Sequence, residues 1–215
     1  MQTPNVPGTE IGIDTYHETL VGSWHDVEKS GVKVSVNKLG EGAFLDPQFA
    51  DSTKRSEAVG DITMAYWFAR PDVATETQSG LIEAHKPKGM FLWLDLEESY
   101  ADANDPTTER WAKLSLTQRQ QILAALVEKY KTDDGEHPGL YVRPDFWESM
   151  FGSPSGYEKC WTWVPRYGSA EPKPLKNLPL FAGWQYSETG TVLGVDGAGT
   201  VDMTLWTEAF IATLK

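Results

Sequence analysis

The chain has one cysteine, Cys160, so no disulfide can form within it, and a thiolate metal site would need other ligands. Cys160 adjoins Trp161 in an apolar run and reads as a buried thiol rather than a reactive one. Basic residues are scarce: 19 Lys and Arg stand against 31 Asp and Glu, for a formal charge of −12. That balance argues against nucleic acid, whose phosphates are bound through Lys and Arg, and against adhesion to an anionic surface. It leaves a neutral polymer such as a glycan open. No apolar run approaches the roughly 18 residues of a membrane span. The four histidines, His17, His25, His85 and His137, show no metal-ligand spacing such as HExxH and are expected to be solvated. Neither a metal nor another cofactor is called for. The amino terminus, MQTPNVPGTEIG, lacks the basic region and apolar core of a secretory signal, so synthesis in a cytoplasm is expected.

What is present suffices for a packed core: 40% of residues are hydrophobic. Gly and Pro are spread evenly, with no repeat and no low-complexity linker, which predicts one domain over residues 1–215. Short β-like runs alternate with helical or polar stretches. The expected strands are Ile11–Asp14, Lys33–Lys38, Ile62–Phe68, Met90–Glu97, Gly139–Val142, Cys160–Val164, Phe181–Tyr186 and Val201–Thr204. The clearest helix is Ser115–Lys131, opened by a Ser-x-x-Gln capping box and striped by Ile122, Leu126 and Tyr130. Weaker helices are expected over Phe49–Glu57 and Ala74–His85. This alternation predicts an α/β fold with a largely parallel sheet, closed into a (β/α) barrel. The strand-rich final third makes that barrel irregular.

The stretch Phe91–Glu98, FLWLDLEE, ends an apolar strand in two acids. Strand side chains alternate, so Trp93, Asp95 and Glu97 share one face and Leu92, Leu94 and Leu96 the other. With helices covering the leucines, the acids look into the barrel at the strand's carboxyl end, where β/α barrels build active sites. Asp14 ends the short strand Ile11–Asp14, and Asp202 follows Thr200-Val201, so four acids can converge on one mouth. The plainer role of a strand-end acid is to cap the next helix. One cap needs one acid, however, and a second on the same face repels the first. Close carboxylates disfavour each other's ionisation, and apolar walls add to this. A protonated acid beside a charged one is what glycosidic cleavage requires. The nine tryptophans suit sugar faces, although most are expected in the core.

Taken in order, the motifs resemble glycoside hydrolase family 25, the lysozymes of phages, bacteria and some fungi. Gly12-Ile13-Asp14 is similar to the family's opening strand. The stretch Trp24–Val27 with Ser30-Gly31-Val32-Lys33 resembles its first helix and second strand. Lys38-Leu39-Gly40-Glu41-Gly42 and Asp46-Pro47-Gln48-Phe49 resemble KATEG and DPxF, and Ala65–Pro71 resembles AYHFARP. Leu94-Asp95-Leu96-Glu97 is similar to the LDxE strand, Trp184-Gln185-Tyr186-Ser187 with Gly190 to WQYS..G, and Val201-Asp202-Met203 to the closing VDL. The chain departs from the pattern at Thr19-Leu20 (Gln-Gly), Met64 (Gly) and Trp67 (His).

The resemblance implies a flattened, irregular β/α barrel. It also implies hydrolysis, with retention, of the β-1,4 bond between N-acetylmuramic acid and N-acetylglucosamine in peptidoglycan. By matching position, Glu97 is the expected general acid, Asp95 tunes and orients it, and Asp14 and Asp202 complete the acidic mouth. Glu41, Tyr66, Tyr141 and Gln185 are the expected sugar-binding residues. The implied partner is the glycan strand of the bacterial wall, met by a monomer, with no nucleic acid and no membrane. A phage endolysin exported through a holin, or the catalytic part of a longer secreted autolysin, would meet that wall. Two rivals stand beside this reading. Chitinase-type barrels also end a strand in Asp-x-Glu, but carry further aspartates where Trp93 and Phe91 stand here. A glycan-binding relative without catalysis could keep the same fold.

Overall fold

The computed structural model describes residues 4–131, 137–168, 170–196 and 200–214. Its sheet is built from β1 (Thr9–Thr15), β2 (Val32–Glu41), β3 (Phe44–Leu45), β4 (Ile62–Phe68), β5 (Leu92–Leu96), β6 (Gly139–Val142), β7 (Trp161–Pro165), β8 (Leu180–Thr191) and β9 (Thr200–Thr207). The strand order is β1-β9-β8-β7-β6-β5-β4-β2-β3, and a further β1–β2 pairing closes it into a barrel, with β3 as a short hairpin partner of β2. Every pairing from β1 through β2 and β4 to β8 is parallel. The exception is β9, antiparallel to both β8 and β1. Only residues 192–199 separate β8 from β9, and so short a link permits a hairpin but not a parallel crossover. The irregular final third expected from the sequence is this hairpin.

The eight expected strands are all present, with β5 ending at Leu96 so that Glu97 is the first residue beyond it. Helices α1 (Trp24–Lys29), α2 (Phe49–Ala58), α3 (Thr75–His85), α4 (Leu116–Lys129), α5 (Pro144–Phe151) and α6 (Glu208–Ile211) complete the fold. The capping box of α4 forms as expected: the Ser115 hydroxyl accepts from the Gln118 amide, and Gln118 accepts from the Ser115 amide. Its buried face is centred on Leu123, Leu126 and Val127, one residue round from the expected stripe, leaving Ile122 and Tyr130 half-buried. Helix α5 was not expected. Pro144 fixes its first turn, and Gly152, at φ 70°, ends it in the left-handed conformation that glycine adopts without cost.

The two faces of the sheet divide as alternation requires. Leu92, Leu94 and Leu96 point outward into a layer with Leu123, Leu126, Phe146 and Trp147. Trp93 points inward, where its ring centroid lies 5.7 Å from Trp163 and 5.3 Å from Trp206. These three rings fill the barrel. Gly139 sits opposite Trp93 in register, and a Cβ there would lie 2.3 Å from the indole, so glycine is what lets the ring in. Eight of the nine tryptophans are buried, which assigns them to the core rather than to a sugar platform. Cys160 is fully buried, and burial pushes its thiol up to about 12, so it is inert.

Candidate active site

The four acids meet at one rim. Asp14, near the carboxyl end of β1, stands directly across the ladder from Asp202 of β9. Because β9 runs backward, its third residue reaches the same end that the parallel strands reach last. Asp95, in register with Phe68 of β4 and Tyr141 of β6, is 6% exposed, and Glu97 follows at the tip of β5. The convergence shows in Tyr66 of β4: burial, then the charges of Asp14, Asp95, Asp202 and Glu97, push its phenol well above the ordinary value.

Gln185, 2% exposed on β8, ties this mouth together. Its amide nitrogen donates to Asp14 at 3.1 Å and to Asp202 at 3.3 Å. Its oxygen accepts from the Tyr141 hydroxyl at 2.8 Å and lies 3.4 Å from that of Tyr167. Both amide protons and both lone pairs are thereby engaged by the protein.

Each acid is shifted upward. Burial, then the charge of Asp202, raises Asp14 well above the carboxylate range, and burial raises Asp202 to about 6. The two are hydrogen-bonded to each other, so one proton between them relieves a like-charge pair directly across the ladder. Asp95 is raised well above the ordinary value by burial and then by Glu97, with Lys38 opposing. Glu97 rises to about 7, through burial and then Glu98, with Arg143 and Lys38 opposing. One oxygen of Asp95, Oδ1, is buried and receives no hydrogen bond among the described residues. A carboxylate with a bare buried oxygen is costly, so the Asp95–Glu97 pair also holds a proton near neutral pH.

The other expected residues fall in two positions. Tyr66 and Tyr141 face the acids. Glu41 lies at the rim but is already paired, 2.6 Å from Lys38 and 3.3 Å from Arg70; burial works upward on it, yet these cations hold it below the ordinary range. Of the departures from the family pattern, Trp67 and Met64 lie in packed layers, whereas Thr19 is hydrogen-bonded to Tyr16, which feels the charge of Asp202. Trp67 points into the outer layer and donates to Gln78 at 3.1 Å, and Met64 lies inside the barrel 3.3 Å from the Trp93 indole nitrogen. Leu20 is exposed.

Several neighbours of the acids escaped the sequence reading. Lys38, on β2, lowers both Asp95 and Glu97 and sits 5.5 Å from the Phe68 ring. Arg143 is ion-paired with Glu98 and acts on Glu97. Tyr16 and Tyr167 feel the charge of Asp202 and are 39% and 49% exposed, which makes them, not the tryptophans, the open aromatic faces near the acids. Lys38 lay inside a recognised motif, and its position two residues beyond the inward-pointing Val36 was the available signal. Among the described residues, no group of three or more His, Cys, Asp or Glu side chains is arranged to hold a metal ion.

A closed, mostly parallel barrel with a cluster of proton-sharing carboxyl groups at the carboxyl ends of its strands defines a glycosidase-type protein. The profile of the glycosyl hydrolases family 25 matches residues 13–195, and the chain belongs to that family. The matched span holds Asp14, Asp95 and Glu97 and ends before Asp202. Lysozyme M1 of Streptomyces globisporus is 28% identical over 198 residues, covering 86% of this chain and 64% of that protein's length. Among solved structures, the bacterial lysozyme of Streptomyces coelicolor superposes with a TM-score of 0.82 at 24% identity, covering 98% of this chain and all of that one. A family 25 lysozyme from Aspergillus fumigatus gives 0.79 at 21% identity over 96% of this chain and 98% of its own. These likenesses establish the barrel. Among the described residues, no helix is long and apolar enough to cross a membrane.

Proposed function

We propose that this chain is a peptidoglycan hydrolase that cleaves the β-1,4 bond between N-acetylmuramic acid and N-acetylglucosamine with retention, Glu97 serving as general acid and then general base. The observation that carries the reading is a carboxyl group tuned to about 7 at the tip of a barrel strand, beside a buried partner with an unfilled acceptor.

Oδ1 of Asp95 is buried and takes no donor among the described residues, so a turn of this side chain on binding brings it to the N–H of a substrate acetamido group. A hydrogen bond there favours ionised Asp95, which moves the shared proton onto Glu97. Glu97 then gives that proton to the bridging oxygen as the glycosidic bond breaks. The acetamido oxygen, oriented through its N–H, captures the anomeric carbon. Water, deprotonated by Glu97, opens the resulting ring and restores the configuration at the anomeric carbon. Asp14 and Asp202, sharing a proton, leave about one negative charge facing the oxocarbenium-like centre. Gln185, its amide filled by four protein groups, positions that pair rather than binding sugar. Tyr66 and Tyr141 line the subsite, and Glu41 acts through its ion pairs at the rim. The partner is the wall's glycan strand, met by a single copy of the chain in a domain spanning 1–215, at the bacterial wall.

Mass spectrometry of fragments from digested, purified peptidoglycan tests this. Fragments with muramic acid at the new reducing end, and intact peptide stems, are expected. Glucosamine reducing ends or release of chitin oligomers would replace the reading with the chitinase-type one. Wall binding without new reducing ends would replace it with a glycan-binding role.

A further inference from the structure

The opposite end of the barrel carries a cavity of about 900 Å³. It opens at the amino-terminal ends of the strands, where Ile62 begins β4 and Trp161 begins β7, away from the acids at the carboxyl ends. Among the described residues its lining takes five lysines (Lys86, Lys88, Lys129, Lys131 and Lys159) and one carboxylate, Glu83. Lys129 is 3.3 Å from Glu83, Lys131 is 3.8 Å from Glu128, and Lys86 donates to the carbonyls of Pro87 and Met90. Lys88 and Lys159 are exposed and have no ion pair among the described residues. His137 lines the same cavity, feels the charge of Lys159, and has Nδ1 buried with no hydrogen-bond partner among the described residues. The floor is apolar: Ile62, Phe91, Trp161 and Leu214 are only partly covered, although they pack on the interior cluster.

We propose that this foot of the barrel binds an amphiphilic phosphomonoester, with the phosphate between Lys88, Lys159 and His137 and the hydrocarbon part on Phe91 and Trp161. The volume lies in the range of small-molecule sites, roughly 300–1,000 Å³, which combine an apolar lining with a few polar groups. A phosphate dianion matches the surplus of lysines, compact point charges suited to its oxygens. The hydrocarbon covers apolar surface that the fold leaves half-open, which favours binding in proportion to the area removed from water. The inference goes beyond the proposed hydrolysis and does not depend on it, because none of the four acids lines this cavity.

Dodecyl phosphate, below its micelle concentration, is titrated into ¹⁵N-labelled protein and followed by amide shifts, with circular dichroism checking that the fold persists. Saturable 1:1 binding is expected, with shifts confined to residues 86–92, 137–142 and 159–163. Inorganic phosphate and uncharged dodecyl maltoside should bind at least tenfold more weakly. K88E/K159E, two exposed positions, should weaken dodecyl phosphate at least tenfold without moving the melting temperature, and wild-type affinity should fall as salt is raised. Equal binding of inorganic phosphate, equal binding of the maltoside, indifference to both charge reversal and salt, or absence of shifts at the cavity would each overturn the proposal. Phosphatidic acid vesicles form the last arm. Binding to vesicles in preference to free amphiphile assigns the ligand to a bilayer, and the reverse assigns it to a free molecule.

Discussion

Replacing Glu97 by glutamine preserves the shape of the side chain and abolishes its titration. In the wild type, burial and then Glu98 raise this carboxyl from 4.5 to about 7. A group with a raised pKa holds its proton more tightly when folded, so its contribution to stability is complete below pH 4.5 and is lost as pH climbs to about 7. At about 1.4 kcal/mol per pH unit, the loss has a ceiling of about 3 kcal/mol. Sharing the proton with Asp95 lowers this to on the order of 1–3 kcal/mol, because either acid can hold it. For a chain of this size each kcal/mol moves the melting temperature by roughly 2–4 °C. E97Q should therefore melt roughly 3–10 °C above wild type at pH 8 and within about 2 °C of it at pH 4. The same protein should clear purified walls at least 10³-fold more slowly, since its amide cannot donate and recover a proton, on the order of general acid–base contributions. The assays are thermal melts by circular dichroism at both pH values and turbidity loss of a wall suspension. A stability difference that ignores pH would refute the desolvation argument. Near-wild-type clearing by the folded variant would refute the catalytic one.

Lys38→Met removes a charge that lowers both Asp95 and Glu97, so the alkaline limb of kcat/KM should move up by on the order of half a pH unit, while K38R should leave it in place. An unmoved or lowered limb in K38M would discount Lys38. Gln185→Ala should cut kcat about 10- to 100-fold while KM stays within a few-fold, because the amide holds Asp14 and Asp202; a rise in KM at constant kcat would instead make it a sugar ligand. Trp67→His restores the residue of the family pattern, yet should cost about 2–4 kcal/mol in denaturant unfolding and leave the products of wall digestion unchanged, since residue 67 lies in the outer layer; altered products would place it at the mouth.

The β5 strand was legible because alternation is a local property. Once Leu92, Leu94 and Leu96 cover the outside, Trp93, Asp95 and Glu97 have nowhere to go but in. The same rule, applied to β4, places Tyr66 inward and Trp67 outward, so the most conspicuous departure from the family pattern bears on helix packing rather than on substrate. Helix α5 is only eight residues long, and its signals were local: Phe146, Trp147, Met150 and Phe151 recur at i, i+1, i+4 and i+5 between Pro144 and Gly152. The role of Gln185, by contrast, was hidden. It bonds Asp14 across 171 residues of sequence, and a contact of that separation exists only after the barrel closes.

Barrel closure also explains why the mouth can hold charges that repel. A cross-strand pair such as Asp14 and Asp202, with Cα atoms about 4.5–5.5 Å apart, destabilises a sheet if both ionise. In an open sheet the strands could slip or splay to separate them. Here β9 is gripped on both sides, by β8 and by β1, and the Trp206 side chain fills the barrel against Trp93 and Trp163. A one-residue slip would turn Trp206 out of the core and Asp202 out of the mouth together, and burial of one such ring outweighs the relief of one carboxylate pair. The register that the core demands is the register that forces the acids together. The carboxyl groups therefore cannot relax apart and instead answer the repulsion by retaining protons, which is the state acid catalysis needs at the start of the reaction.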